Sequence, residues 1–431
     1  MSGHEELLTD LGTTLFASLP RSDQRSMALT YVRGLLTTPG RKSFRNMAVS
    51  LGGPRLEQRL HHFISCSTWD WTPVSRASAD ALMPVAPPRG WVLRTLVTRR
   101  EGESTVGVHK RFFAGRGQML NAQYAVGLWA ASTTVCYPLT WRLLLPPEWL
   151  QDEARRARAS IPVARTPETP VECAVAAYLD LPADLRGRLP VVMDVCGIDT
   201  VTAVHRLCSV KVPFLVRAYR GLPLTVVDPA LPGHGTSPLS THRILAAAEG
   251  PHGPVDAGPV DAGGPGGGYR HAWPEERERA SGTVPGGEEP TRSLVAAVRV
   301  RSPYDSDRAD GPDGRHDLLL LRTRTDTGQR PDEVWLTNML DADPGTLLSL
   351  TALPRRVDDS TERITARLGI RDFTGRSYDG WNRHATLASV AHAVALLSDE
   401  PADLPFGRAP VAETEPSPVG PPPDSRATTG V

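Results

Sequence analysis

Lysine is nearly missing from this sequence: of 48 basic residues, three are lysine (Lys42, Lys110, Lys211) and 45 are arginine. The bias points to GC-rich coding DNA, of the kind actinobacteria carry, and says nothing about function. Net charge is missing as well, because 48 acidic residues balance the basic ones. That excludes a uniformly basic coat, so any contact with a polyanion must come from a local patch. Cysteines are few, odd in number and never spaced C-x-x-C (Cys66, Cys136, Cys173, Cys196, Cys208). Neither a disulfide framework nor a zinc site is indicated, and reduced thiols are expected. The opening MSGHEELLTDLG lacks the basic and apolar regions of a signal peptide, so a cytoplasmic protein is expected. The long uncharged stretch 125–141 is broken by Ser132, Thr133, Thr134 and Pro138. It reads as two buried strands and not as a membrane span.

What is present suffices for two domains and a sizeable core in 431 residues. Glycine and proline are in excess, and residues 250–290 hold 11 Gly and 7 Pro in 41 positions, including the direct repeat GPVDA GPVDA. Such a segment cannot bury a core and is expected to be a flexible insertion. The Pro-rich tail 399–431 is expected to be disordered.

Residues 5–66 read as helices. Leu7, Leu8, Leu11 and Leu15 recur at helical spacing; Ser22 opens a second segment with Met27, Tyr31 and Leu35 on one face. Two shorter helices, 43–51 and 55–64, are separated by Gly52, Gly53 and Pro54, a helix-turn-helix-like placing of breakers. Between Arg33 and His62, six cations (Arg33, Arg41, Lys42, Arg45, Arg55, Arg59) face one acid, Glu57. This is the clearest basic patch in the chain.

From residue 90 the pattern changes to strands, at 91–97, 106–114, 123–131 and 135–145. A helix at 171–179 follows, then the short apolar strand PVVMDV at 190–195, a helix at 200–210 and a strand at 213–219. Strand, helix, strand in this order implies a mixed or parallel sheet. Further strands are expected at 294–301, 318–325 and 334–340, and helices near 345–353, 357–368 and 381–397.

Four features mimic function. GLLTTPGRKS (34–43) has five residues between its glycines and Arg41 before the lysine, so it misses the phosphate-loop spacing. GHGTS (233–237) misses the nucleophile-elbow spacing and reads as a loop. His61 and His62 lack partnering carboxylates, and Trp69 and Trp71 of the WDW run read as packing at a domain junction. A carboxylate at the end of a buried strand differs, because Asp194 needs a metal, a donor or a counter-charge. Asp358 and Asp359, read as the start of a helix whose dipole favours anions, form the second candidate.

Several stretches, in order, resemble transposases of the insertion-sequence 701 family, members of the DDE superfamily with a ribonuclease-H-like core. They are FASLPRSDQR (16–25), YVRGLL (31–36), HHFISCSTWDWTPV (61–74), LLPPEWLQDEARRARASIP (144–162) and RSYDGWNRHATLASVAHA (376–393). The resemblance implies three carboxylates holding two divalent metals for DNA strand cleavage and transfer, with Mg²⁺ as cofactor if the protein is active. Asp194, in VVMDVCGIDT, matches the second acid. Aligning on STVGV (104–108) puts Arg94 or Thr95 where the first acid belongs, and Glu101 and Glu103 fall in the turn beyond. In PRRVDDSTERIT the third acid becomes Asp358, shorter than the family's Glu, while Pro354 and Thr365 replace two cations.

The expected architecture is therefore α/β: a ribonuclease-H-like mixed sheet flanked by helices, with a helical N-terminal domain and a β-rich insertion. Its parts are a helical DNA-binding domain at 1–80, the ribonuclease-H-like domain at 90–225 and 341–398, and the insertion region at 226–340. The expected metal and catalytic ligands are Asp194 and Asp358; the expected DNA contacts are Arg41, Lys42, Arg45, Arg55 and Arg59. Double-stranded DNA is the expected partner, with a homodimer left open and no membrane. Three readings stand at this point: a degenerate transposase, a domesticated DNA-binding regulator, and an active transposase with an unconventional metal site.

Overall fold

The first five helices form one layer: α1 (Gly3–Leu15), α2 (Ser22–Thr37), α3 (Phe44–Leu51), α4 (Pro54–His61) and α5 (Thr72–Leu82), with a π-helical turn at His62–Cys66. The computed structural model describes residues 3–113, 118–195, 199–229, 231, 233–235, 237–248, 292–303, 316–325 and 332–398. The Gly/Pro segment 250–290, Cys196 and the tail 399–431 lie outside the described residues. Ser43 caps α3, its side chain accepting from Asn46 N at 3.1 Å. The break before α4 uses Gly53 at φ +86°, a backbone state that favours glycine, followed by Pro54 in the first turn. Trp69 stacks on Phe63 with ring centroids 5.2 Å apart and donates Nε1–H to the Phe63 carbonyl at 3.0 Å. Trp69 is buried in packing, as expected of the WDW run, against Phe63 of the helical region.

The strands join one large mixed sheet. β1 (Gly90–Arg99), β2 (Val108–Phe113), β3 (Gln118–Ala131) and β4 (Cys136–Leu143) come first, then α6 (Pro147–Gln151), α7 (Glu153–Arg158) and α8 (Pro170–Leu179). Next are β5 (Val191–Met193), α9 (Thr200–Ser209) and β6 (Phe214–Arg217). The remaining strands are β7 (Pro223–Val226), β8 (Leu239–Ser240), β9 (Arg292–Arg301), β10 (Asp317–Thr325) and β11 (Glu333–Thr337), with α10 (Thr241–Ala248) between β8 and β9. The spatial order is β2-β3-β1-β5-β6-β11-β10-β9-β7-β8, and β4 also pairs with β3. β1, β5 and β6 are parallel, with Leu93, Met193 and Val216 in register. The strands between Asp194 and Asp358 thus extend the central sheet, β11 pairing antiparallel with β6.

Alternation along the strands feeds two cores. Val92, Val192 and Leu215 share one core with the N-terminal helices and with α11 (Pro344–Ser360) and α12 (Tyr378–Leu397). Leu93, Met193 and Val216 share the other with α8 and α9.

Two helices expected at 345–353 and 357–368 are instead one helix, α11, running through Pro354, followed by a π-helical turn at Thr361–Thr365. Proline removes one helical hydrogen bond, but Leu347, Leu350, Leu353, Pro354 and Val357 form one buried stripe that holds the helix together. α12 is buried at every residue from Gly380 to Ala395. Its polar residues are hydrogen-bonded: Arg383 donates to Trp69 O and Ile64 O (3.0 and 3.1 Å), and Ser389 accepts from Trp141 Nε1 (3.0 Å).

Candidate functional site

The parallel register that aligns Leu93, Met193 and Val216 places Arg94, Asp194 and Arg217 one residue further on, side by side. Alternation sends these three to the face shared with Val92, Val192 and Leu215, over which α11 lies. Thr95 belongs to the opposite face, so of the two positions singled out on β1 only Arg94 shares a face with Asp194.

Arg94 lies between the two candidate carboxylates. Its Nη1 is 2.9 Å from Asp194 Oδ2 and also donates to the Asp194 carbonyl. Its Nε donates to Asp358 Oδ1 at 2.8 Å, and Nη2 donates to Asp358 Oδ2, completing a two-pronged guanidinium–carboxylate pair. The Arg94 side chain is 17% exposed, against 31% for Asp194 and 49% for Asp358. Asp358 therefore sits at the rim and Arg94 at the centre.

Asp358 lies in the last turn of α11 and not at a helix start, which corrects the sequence expectation. The helical path continues from α11 into the π-helical turn at Thr361–Thr365, so Asp358 meets no open carbonyl end, and Arg94 supplies its counter-charge. Partial burial and the neighbouring Asp194 and Asp359 hold the Asp358 carboxyl above the ordinary carboxylate range, against the pull of Arg94.

A second charge cluster adjoins the first. Glu333 bridges Arg217 (3.2 Å) and Arg355 (3.1 Å), and Arg217 also lies over the Trp335 ring at 5.1 Å from its centroid. Arg355 and Asp358 are three residues apart on α11, so one helix face serves both clusters. Sequence reasoning missed Arg217, Glu333 and Arg355. Arg217 carried a signal, since it follows FLV as Asp194 follows VVM; Glu333, from a strand far along the chain, carried none.

The other positions singled out in the sequence fall elsewhere. Glu101 and Glu103 are exposed in the β1–β2 connection. At about 3.3 Å per strand residue, Glu101 is roughly 20 Å from Arg94. Thr365 is buried, its hydroxyl 2.8 Å from His392 Nδ1, and Pro354 is buried in the α11 stripe.

In the N-terminal helices, Arg41, Arg45, Arg55 and Arg59 are exposed. Arg55 and Arg59 are one turn apart on α4, and Arg59 lines a cleft with Gln24, Gln58 and His62. Lys42 departs from its expected place in this patch. It is 3% exposed, its ammonium donates to Thr38 O, and burial pulls its pKa down to about 8. Its backbone N–H donates to Asp372 Oδ2 at 2.7 Å. Lys42 fastens the α2–α3 connection to the segment before α12 and does not present its charge to solvent.

A family model described as DDE superfamily endonuclease matches residues 14–252, more than half of the chain. The chain belongs to that family. No curated protein matches it. The matched span takes in the DDE domain's β1 and β5, hence Arg94 and Asp194, while Asp358 lies beyond it. The mixed sheet flanked by helices accords with a ribonuclease-H-like DDE nuclease fold.

DDE enzymes hold divalent metals with acidic side chains. The residues present here do not fit that role, because two carboxylates converge where three are needed and both are engaged by Arg94. Among the described residues no group of three His, Cys, Asp or Glu side chains could hold a metal ion. No helix among them is long and apolar enough to cross a membrane.

Proposed function

We propose that this chain is a double-stranded-DNA-binding protein descended from transposases of the insertion-sequence 701 type, and that it has lost strand cleavage. One observation carries the reading: the Arg94 guanidinium stands between Asp194 and Asp358, where the first acid of a DDE site would be needed. A fixed cation there neutralises the remaining carboxylates, so a divalent metal would have to displace a guanidinium that is bonded at both ends. Arg94 preserves the charge balance and the packing of the site without its chemistry.

DNA binding is assigned to the exposed arginines of the α3–α4 region: Arg41, Arg45, Arg55 and Arg59. Each phosphate neutralised by a cation releases counterions, so affinity should fall steeply as salt rises. A homodimer fits the same reading, since transposase-type proteins act on two DNA ends.

The test uses duplexes carrying the gene's own flanking ends, with Mg²⁺ or Mn²⁺. Binding that is steep in salt, without cleavage, by the unaltered protein supports the reading. Cleavage that disappears in Asp194→Ala would overturn it and make the protein an active enzyme with an unconventional site. Cleavage gained by Arg94→Asp would locate the defect at that residue.

A further inference from the structure

The β2–β3 hairpin carries a feature that neither the charge clusters nor the helical patch uses. β3 is long enough to pair with two strands along the same edge: residues 125–131 face β4, while 118–123 face β2. The outer part of this ribbon is therefore an arm added beyond the β3–β4 pairing. On one of its faces Val108 opposes Gln123, Lys110 opposes Asn121 and Phe112 opposes Met119. That face grades outward from buried Val108 and Gln123, through exposed Lys110, to Phe112 and Met119, which are 58% and 59% exposed.

Edge strands ordinarily carry charge to discourage pairing, and a cross-strand pair of large apolar side chains in water is a poor surface unless something covers it. The charge around the pair indicates what does. From Ser104 to Pro147 the sequence contains no Asp or Glu, while His109, Lys110 and Arg111 precede Phe112 on β2 itself. Arg111 lies over the Tyr124 ring at 5.1 Å from its centroid. Glu101 and Glu103 belong to the β1–β2 connection, and Glu148 of α6 lies near His109 at the inner end of β2, away from the Phe112–Met119 pair. Asn121 fixes that connection by donating to Gly102 O at 3.1 Å, on the sheet side of the Phe112–Met119 pair. An acid-free cationic ribbon whose outermost described pair on this face is Phe112–Met119 has the chemistry of a DNA arm: cations for phosphates, and apolar side chains for the faces of bases opened at a step.

We infer that the β2–β3 hairpin is a second DNA contact, in which Phe112 and Met119 insert as a wedge between base pairs while Lys110 and Arg111 hold the flanking phosphates. The inference rests on the DNA-binding reading above and adds a distinct, unstacking mode to it. It asks for no catalysis.

The experiment places 2-aminopurine at successive steps of the bound duplex and compares three full-length proteins: unaltered, Phe112→Ser with Met119→Ser, and Arg45→Ala with Arg59→Ala. Both altered pairs are exposed, and a circular-dichroism melt matching the parent establishes that each folds. The expected result is a rise in 2-aminopurine fluorescence at one or two steps with the unaltered protein. The Ser pair should lose that rise and bind about tenfold more weakly with an unchanged salt slope. The Arg45/Arg59 variant should have a shallower slope and keep the rise at saturating protein. Binding by the unaltered protein with no fluorescence rise at any step overturns the wedge and leaves DNA binding standing. No binding at all overturns both. A Ser pair that binds DNA normally but changes sedimentation overturns the wedge in favour of a contact between copies of the chain.

Discussion

Tyr31 on α2 and His384 on α12 are joined by a 2.8 Å hydrogen bond between the phenol oxygen and Nδ1, 353 positions apart in the chain. On its other side His384 Nε2 is 3.0 Å from Gly369 O. A carbonyl can only accept, so Nε2 carries the proton and Nδ1 accepts from Tyr31. Tyr31→Phe leaves Nδ1 buried without a donor and should lower stability by about 1–3 kcal/mol, read as a lower denaturant midpoint at constant m. An unchanged midpoint would show that the bond contributes nothing net.

His392 repeats the pattern, with Nε2 toward Cys136 O at 3.1 Å and Nδ1 toward Thr365 Oγ1 at 2.8 Å. Burial pulls both histidines down to about 4. Unfolding restores a value of about 6.5, so between those limits the unfolded chain binds more protons and stability rises with pH. The contribution is fully present above about pH 6.5 and is lost as pH falls toward 4, up to about 3 kcal/mol per histidine. Urea titrations at pH 7, 6, 5 and 4.5 should show the decline, and His392→Gln should flatten it. A flat profile in the parent would count against both buried neutral rings.

Removing the Arg94 cation should expose the carboxylates. Arg94→Ala leaves Asp194 and Asp358 facing each other, and since Asp358 is half exposed the cost should be about 1–2 kcal/mol, below that of a fully buried pair. Mn²⁺ should then raise the melting temperature of Arg94→Ala, and more so of Arg94→Asp, while leaving the parent unmoved. Equal Mn²⁺ responses in all three would mean that the guanidinium does not block the carboxylates.

Lys42 and Arg45 are close in sequence and should separate in experiment. Lys42→Met should cost stability through the loss of its contact with Thr38 O, and leave the salt slope of DNA binding alone. Arg45→Ala should do the reverse, reducing the slope by about one unit. The two variants compared by melting and by salt titration test whether burial, and not sequence position, decides which cations meet DNA.

Gly369 offers a backbone test. It has φ +81°, and a Cβ there would lie 2.4 Å from Lys42 Cγ. Gly369→Ala should destabilise by about 2 kcal/mol or more, with strain and overlap adding. Combining it with Lys42→Ala should recover part of the loss, which a thermodynamic cycle would measure.

Much of the sheet was legible because β-branched and aromatic runs alternate with turn residues, and β1, β3, β4, β5 and β6 lie where that pattern puts them. The position of Arg94 was legible only through alignment on STVGV; its partnership with Asp358 was not, because that pairing joins residues 264 apart. Pro354 misled, since proline ordinarily ends a helix and only the stripe from Leu347 to Val357 shows why this one continues. Lys42 misled in the same way: a basic residue in a basic run reads as exposed until the segment around Asp372 is seen to cover it. α12 gave little warning of full burial, because its Asn, Arg and His residues suggest a polar face.

α12 also has a bearing on how the chain becomes a protein at all. It is the last of the described helices to leave the ribosome, yet it supplies the surface against which α2, α5 and the π-helical turn at His62–Cys66 pack. A nascent chain must hold its first eighty residues without their main partner until nearly four hundred have been made. A stop codon or frameshift anywhere upstream of α12 would therefore release no free-standing repressor made of the N-terminal helices. Such a product would expose Tyr31, Phe63 and Trp69 and be fit chiefly for proteolysis, so an unbroken reading frame through Leu397 is itself a requirement for any role the first helices perform.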